Sequence, residues 1–352
     1  MPGLVWASAS GPDRKPCGME QSGPSARPSL DARTPAPHRR GLSIQSMLTL
    51  IVLAAGLGRR FGADKQIVRV GPQGQTLLDF TLHDAWRAGF RRVVFVLRAD
   101  LVQPFAEVFG PAWGGRLDLR SVVQDPSDLP PAVAVPGRRE KPWGTLHATW
   151  SARGQASERC AVVNADDLYG AKALAAVAQE LRAESGEGAE VLQACLPGYP
   201  LAGTLSSAGT VNRGVCRVRD GWLLGVDEVT EIARDADGAV RGRHDGDAHR
   251  SPLDAGTLVS MNLWGWRGRP WPAMEQALAE FVADPSRPPH AEAYLPAFWD
   301  AQVRQGRARC RVLAAPSGWV GLTHPGDLDP VREHVRALCA AGDYGDMPSV
   351  PV

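Results

Sequence analysis

Little in this chain is set aside for crosslinking, for long-range electrostatics or for crossing a bilayer. Its six cysteines in 352 residues are scattered, with no C-x-x-C pair and no spacing suited to zinc. A disulfide framework and a structural zinc are thereby excluded, and the thiols read as reduced, in a cytoplasmic protein. Lys and Arg total 39 against 38 Asp and Glu, a formal net charge of +1. So even a balance offers no field to draw in nucleic acid or an acidic membrane, and any ligand must be recognised locally. The apolar run from Met47 to Gly56 is short for a membrane span. Arg39 and Arg40 precede it as in a signal peptide, but cleavage there would destroy the glycine motif in which the run ends. A Walker A loop is missing, and Phe61 stands where a strict G-x-G-x-x-G needs glycine. No hexapeptide repeat of the left-handed β-helix follows the core, which excludes a fused domain of that kind.

What is present is an alternation. Residues 1–46, rich in Pro, Ser, Arg and Gly and without periodicity, read as a disordered or non-native extension. From Met47 an apolar run (Leu48 to Ala54), a glycine-rich turn, a helical stretch (Leu77 to Ala88) and a second apolar run (Arg92 to Leu97) make a β-α-β unit. In the helical stretch Leu78, Leu82, Ala85 and Trp86 share one face, Asp84 and Arg87 are expected to face water, and Gly89 fits a C-cap. The pattern continues through a helix at Val102 to Val108, a strand at Leu117 to Gln124, a helix from Thr145, a strand at Cys160 to Asn164 and a helix at Lys172 to Arg182. Repeated β-α units predict an α/β fold whose mostly parallel central sheet is covered by helices on both faces.

After residue 188 helices become scarce. Strands are expected at Val191 to Leu196, Gly214 to Val218, Trp222 to Val226 and Thr257 to Trp266, with 234–250 as a solvated excursion. Helical stretches at Trp271 to Val282 and Ala291 to Gln305, a strand at Arg309 to Leu313, a helix from Asp327 to Ala340 and a frayed tail complete the chain. This divides it into a catalytic domain at 47–340, with halves 47–185 and 186–340, and a tail at 341–352. Trp264 and Trp266, two apart on one strand face, should pack in the core.

Three segments carry chemistry. Leu53 to Lys65, LAAGLGRRFGADK, directly follows a strand. Gly56 and Gly58 let backbone N–H groups approach a phosphate closely, and Arg60 and Lys65 add positive charge where a triphosphate would lie. Asn164 to Gly170, NADDLYG, puts Asp166 and Asp167 at the carboxyl end of a buried strand, where open α/β sheets bind ligands and where hard oxygens suit magnesium. Asp167 serves either the metal or the cap of the next helix. Between these lies KPWGTLHA, Lys141 to Ala148, where Thr145 could equally be a helix cap.

The first segment matches every fixed position of L-A-A-G-x-G-x-R followed by lysine. In this the chain resembles the sugar-1-phosphate nucleotidyltransferase superfamily, which includes glucose-1-phosphate thymidylyltransferase and N-acetylglucosamine-1-phosphate uridylyltransferase. The resemblance implies a Rossmann-like, three-layer α/β/α fold of the GT-A type. It places Leu53, Ala54, Ala55, Gly56 and Gly58 around the nucleotide, and Arg60 and Lys65 on its phosphates. KPWGT is similar to the family's base-binding segment, giving Gly144 and Thr145 base contacts, although Leu146 stands where relatives have glycine. Gln124 looks like the glutamine that reads a pyrimidine. Asp166 aligns with the metal aspartate, with Asp167 and Asn262 as further candidate ligands. Glu228 resembles the sugar-contacting glutamate, although Val229 replaces the lysine that follows it in the thymidylyltransferases. Asn212 and Arg213 face the acceptor or form a plain turn, and Asn262 completes the site or is a satisfied buried amide. A bacterial branch of sugar nucleotidyltransferases shares the NADD and KPWGT segments.

The reaction expected from the resemblance is Mg2+-dependent transfer of a nucleoside monophosphate, from UTP before CTP or dTTP, to a small phosphorylated acceptor. The acceptor is open among hexose 1-phosphates, amino-sugar phosphates and phosphocholine, and the choice between monomer and homo-oligomer is open as well. Because a phosphate oxygen is already ionised near neutral pH, no His-centred general base is needed. Two other readings stand beside it. A glycosyltransferase of similar architecture would not need a glycine loop around a triphosphate. A regulatory module without turnover would release no pyrophosphate.

Overall fold

Strand β1 (Leu48–Leu53), helix α1 (Leu77–Ala88) and strand β2 (Arg92–Leu97) form the predicted first unit of the computed structural model, with the strands parallel and Leu50 beside Val93. The structure describes residues 47–56, 67–131, 133, 139, 141–183, 191–206, 208–288, 290–315 and 318–349. The N-terminal extension and positions 57–66 of the glycine segment lie outside the described residues. Helix α1 is closed at both ends. The Thr76 hydroxyl accepts the Asp79 N–H while the Asp79 carboxylate accepts the Thr76 N–H, and Gly89 caps the other end at φ 97°. Leu78, Leu82 and Ala85 are buried as their spacing requires. Asp84, expected in water, is buried too, because its carboxylate accepts the Tyr344 hydroxyl at 3.1 Å from the C-terminal tail packed over it.

Helix α2 (Val102–Trp113) runs past Val108 because Phe109, Ala112 and Trp113 extend its buried stripe, and the Trp113 indole donates to Asp79 at 2.8 Å. Then follow β3 (Asp118–Val123), α3 (Thr145–Ser151), β4 (Arg159–Asn164), β5 (Asp167–Leu168) and α4 (Ala171–Arg182). The order β4-β1-β2-β3 is parallel throughout and sets Leu53 beside Asn164. Two sequence motifs far apart in the chain thus emerge at one end of the sheet.

The second half extends the same sheet with β6 (Leu192–Pro200), β7 (Val211–Arg219), β8 (Trp222–Arg234), β9 (Val240–His244), β10 (Ser251–Pro252), β11 (Leu258–Ser260) and β12 (Trp264–Arg267). Pairing among these is antiparallel, and β12 joins β4 to β6. Helices α5 (Trp271–Ala283) and α6 (Leu295–Arg304) lead to β13 (Ala308–Ala314), parallel to β6, and to β14 (Val320–Gly321) and α7 (Leu328–Ala340). One core cluster joins α1, α2 and α4 to the sheet, and another joins α3, α5 and α6 to it. The result is a mixed sheet with parallel central strands between helical layers.

Three expectations are corrected. The stretch 234–250 contains β9, whose Val240 is buried while Arg241 and Arg250 pair with Asp235, so its charges satisfy one another. The single strand expected at Thr257 to Trp266 is two, β11 and β12, broken where Asn262 takes φ 63°. The tail is docked, not frayed: Tyr344 is buried edge-on to Phe80, and Asp346 accepts from His83 at 2.8 Å. Trp264 and Trp266 pack in the core against Trp299. Cys160, Cys195, Cys216 and Cys310, on β4, β6, β7 and β13, are buried and free.

Candidate active site

A cleft of about 360 Å³ opens beyond the carboxyl end of β4, where Asn164, Asp166, Arg213, Glu228, Asn262 and Tyr294 meet. A larger cavity, of about 560 Å³, lies against α1, α4 and the tail and is lined by none of the candidate catalytic, nucleotide, acceptor or metal residues. The cleft is the candidate site. Its floor is fixed by backbone bonds: Ala165 N–H donates to Leu53 O at 3.0 Å, and Leu322 N–H to Asp166 O at 3.0 Å. The Asp167 carboxylate accepts from the Asn164 amide at 2.8 Å and from the Tyr169 hydroxyl at 3.2 Å, and its backbone carbonyl accepts from Thr81 at 2.9 Å. Asp167 does not cap α4, whose N-cap is Gly170 without any side-chain bond. It holds Asn164 in place.

From just before the neighbouring strand β12, the Asn262 amide donates to Asn164 Oδ1 at 2.7 Å. Its own Oδ1 is buried and has no hydrogen-bond partner. The left-handed backbone at Asn262 costs about 1 kcal/mol for a non-glycine residue and is found where a side chain must be aimed. The sequence alternative of a satisfied amide therefore does not hold.

In the far half of the cleft, Glu228 on β8 is solvent-accessible at the mouth yet walled by protein. Partial desolvation raises its carboxyl above the usual range, and Arg213 opposes the shift. Arg213 on β7 stands over Trp319, its guanidinium carbon 5.2 Å from the ring centroid. Burial lowers its pKa to about 10, so it stays charged at neutral pH, with Asp167, Glu228 and Asp327 supporting the charge. Asn212 accepts from the backbone N–H of Glu231, itself at φ 54°, and so holds a bulge. Val229 is fully buried in the core and offers no charge.

At the near end, Gly144 takes φ 94°. A Cβ there would lie 2.6 Å from Ala293 O, so only glycine fits. The segment is stapled by Ala293 N–H to Trp143 O, Leu146 N–H to Ala293 O, and Leu295 N–H to the Thr145 hydroxyl. Thr145 is therefore not the cap of α3; Gly144 is. Leu146, where relatives have glycine, is a core residue. The Gln124 amide donates to Gly144 O and to His147 Nδ1, each at 3.1 Å, and His147 Nε2 donates to Asp128 O at 2.7 Å. That assigns a neutral imidazole, consistent with burial lowering its pKa.

The family described as the MobA-like NTP transferase domain matches residues 50–202. The first half of the chain thus carries an NTP transferase domain. No curated protein matches its sequence. Solved structures of the same fold include the inositol-1-phosphate CTP transferase from T. maritima, at 14% identity and TM-score 0.50, over 83% of this chain and 96% of that one. Another, described as a glucose-1-phosphate thymidylyltransferase from Bacillus anthracis in complex with a sucrose, shares 10% identity at TM-score 0.52, over 82% and 95%.

Of the nucleotidyltransferase site read from sequence, the fold gathers Thr145, Asp166, Asp167, Asn212, Glu228 and Asn262 around one cleft. Leu53, Ala54, Ala55 and Gly56 leave β1 beside it, with Ala54 N–H bonded to Val96 O and Arg98 donating to Gly56 O. Gly58, Arg60 and Lys65 lie outside the described residues. Two participants were not singled out in the sequence. Asn164 was named only as the start of NADDLYG, and its neighbour Asn262 is 98 positions away. Tyr294, exposed at the cleft mouth, sits in a helical stretch that carries no chemical motif. No described helix is long and apolar enough to cross a membrane.

Proposed function

We propose that this nucleotidyltransferase joins the nucleoside monophosphate of UTP to a sugar 1-phosphate and releases pyrophosphate. The observation that carries the reading is that Asp166 and the unpartnered Asn262 carbonyl line the same cleft as Arg213 and Glu228. An oxygen of the acceptor's phosphate attacks the α-phosphorus. The bond from that phosphorus to the bridging oxygen breaks, and pyrophosphate leaves with the electron pair. No proton has to move, because the attacking oxygen is already ionised.

Asp166 and Asn262 supply hard oxygens that suit magnesium, which takes few protein ligands and completes its shell with phosphates and water. When bound, the ion neutralises phosphate charge. Asp167 acts through Asn164, which orients Asn262. Arg60 and Lys65 are assigned to the triphosphate, with Gly56 and Gly58 as its backbone cradle. Gln124, Gly144 and Thr145 are assigned to the base, and the resemblance of KPWGT and Gln124 to pyrimidine-binding segments favours UTP. The domain is assigned to 47–340 together with the docked tail, divided near 185 into nucleotide and acceptor halves, and the protein to the cytoplasm.

The test is pyrophosphate release by the full chain with magnesium, crossing four triphosphates with sugar 1-phosphates and phosphocholine. One specific pair should react, and Asp166→Ala should lower its rate by roughly 100- to 1,000-fold. Turnover unchanged in that variant, or no release from any pair, would remove the proposal.

A further inference from the structure

We infer that Arg213 is the residue that grips the acceptor's phosphate monoester; this rests on the nucleotidyl-transfer reading of the cleft. Among the described residues that line it, Arg213 is the one cation, facing Asp166, Asp167 and Glu228. An anionic acceptor is held best where a counter-charge stands beside the place in which its phosphate comes to rest.

The guanidinium is built to be that counter-charge. Its Nη1 donates to Asn212 O at 2.9 Å and its Nη2 to Thr204 O, so the group is held by two neutral carbonyls. Among the described residues no carboxylate lies within ion-pair distance of it. Its Nε–H is buried and has no partner. A buried cation without a direct anion, carrying an orphaned donor, is costly for the fold alone and suits a ligand that brings both negative charge and acceptor oxygens. The Trp319 ring beneath it fixes the plane of the fork, and a planar fork matches phosphate oxygens in a way that an ammonium does not. Position 213 lies directly across the β7–β8 ladder from the buried Val229, beside the Gly214 and Glu228 pair. The cation is therefore held against the same stretch of β8 that presents the cleft's accessible carboxylate.

Selectivity follows from this arrangement. A phosphate monoester carries two charges and three terminal oxygens for the fork, a diester only one charge, and the free sugar none. The experiment measures steady-state kinetics of wild type, Arg213→Ala and Arg213→Lys with the reactive triphosphate and acceptor. Melting curves of each are recorded, together with calorimetric binding of glucose 1-phosphate and inorganic phosphate. We expect Arg213→Ala to raise the acceptor KM at least 30-fold and leave the triphosphate KM within threefold. Arg213→Lys, which keeps the charge but not the fork, should fall between. An acceptor KM within threefold of wild type in a folded Arg213→Ala protein overturns the inference while pyrophosphate release still stands. A triphosphate KM that moves with the acceptor KM overturns it as well, because the arginine then serves the cleft as a whole. If no pair yields pyrophosphate, the function reading fails, and phosphate binding that is weakened in Arg213→Ala still supports the anion grip, whereas equal binding removes it. Should Arg213→Ala fail to fold, Arg213→Lys alone decides: a wild-type acceptor KM counts against the fork.

Discussion

Asn262 bonds Asn164, amide nitrogen to carbonyl oxygen at 2.7 Å, and ties the break between β11 and β12 to the end of β4. The contact adds a side-chain tie between the two halves of the chain to the backbone pairing of β12 with β4. Asn262→Gly relieves the left-handed backbone but removes the side chain, whereas Asn262→Ala removes the side chain and keeps the strain. Glycine should therefore be more stable than alanine by about 1 kcal/mol in denaturant unfolding. Both should lose nucleotidyl transfer by at least tenfold. Equal stability of the two variants would show that the φ 63° conformation costs nothing.

Gly144 is constrained by space as well as by torsion. Gly144→Ala must push Ala293 away and break the staple that seats α3, at a cost of about 1–3 kcal/mol. Thermal unfolding of this variant against wild type measures it. Because Gln124 is bonded to Gly144 O, the triphosphate KM should rise in parallel, and a stable variant with unchanged KM would separate this glycine from the nucleotide.

Asp84 supplies a pH prediction. Burial raises its carboxyl above the ordinary value near 3.8, although the nearby His83 ring and the Tyr344 hydroxyl work the other way. A raised acid binds its proton more tightly folded than unfolded. Its contribution to stability is thus fully present below pH 3.8 and is lost as pH climbs through the folded pKa. Asp84→Asn removes that loss. Its amide oxygen still accepts from Tyr344, and its nitrogen can donate to His83 Nδ1, which is buried without a partner 3.8 Å from Asp84. The variant should be more stable than wild type at pH 7, with the advantage vanishing below about pH 4. Urea unfolding across pH measures this, and lower stability of the variant at pH 7 would contradict it.

The nucleotide half was the readable part of the fold. Apolar runs alternated with helical stripes, and a parallel β-α unit has few ways to satisfy both, so Leu77–Ala88 and Arg92–Leu97 were placed to the residue. The acceptor half was less legible because its information lies between strands. Nothing local tells that 240–244 pairs with β8, that the chain turns left-handed at Asn262, or that Tyr344 returns to bury Asp84. The site followed the same division. Asp166 and Gly144 were visible from their segments, whereas the work of Asn164 and Arg213 depends on what the fold brings opposite them. Thr145 lines the cleft, and its hydroxyl accepts from the Leu295 N–H instead of capping the helix, a long-range partner that no local pattern announces.

The four sheet cysteines give the protein an internal record of its own opening. Burial pushes the Cys160, Cys195 and Cys216 thiols up to about 12 and Cys310 well above its usual range. Alkylating reagents attack the thiolate, so in the closed sheet these four are silent and each becomes reactive only when its strand is exposed to solvent. Because they stand on β4, β6, β7 and β13, the order in which they take up label under native conditions reads strand by strand which half of the sheet lets go first.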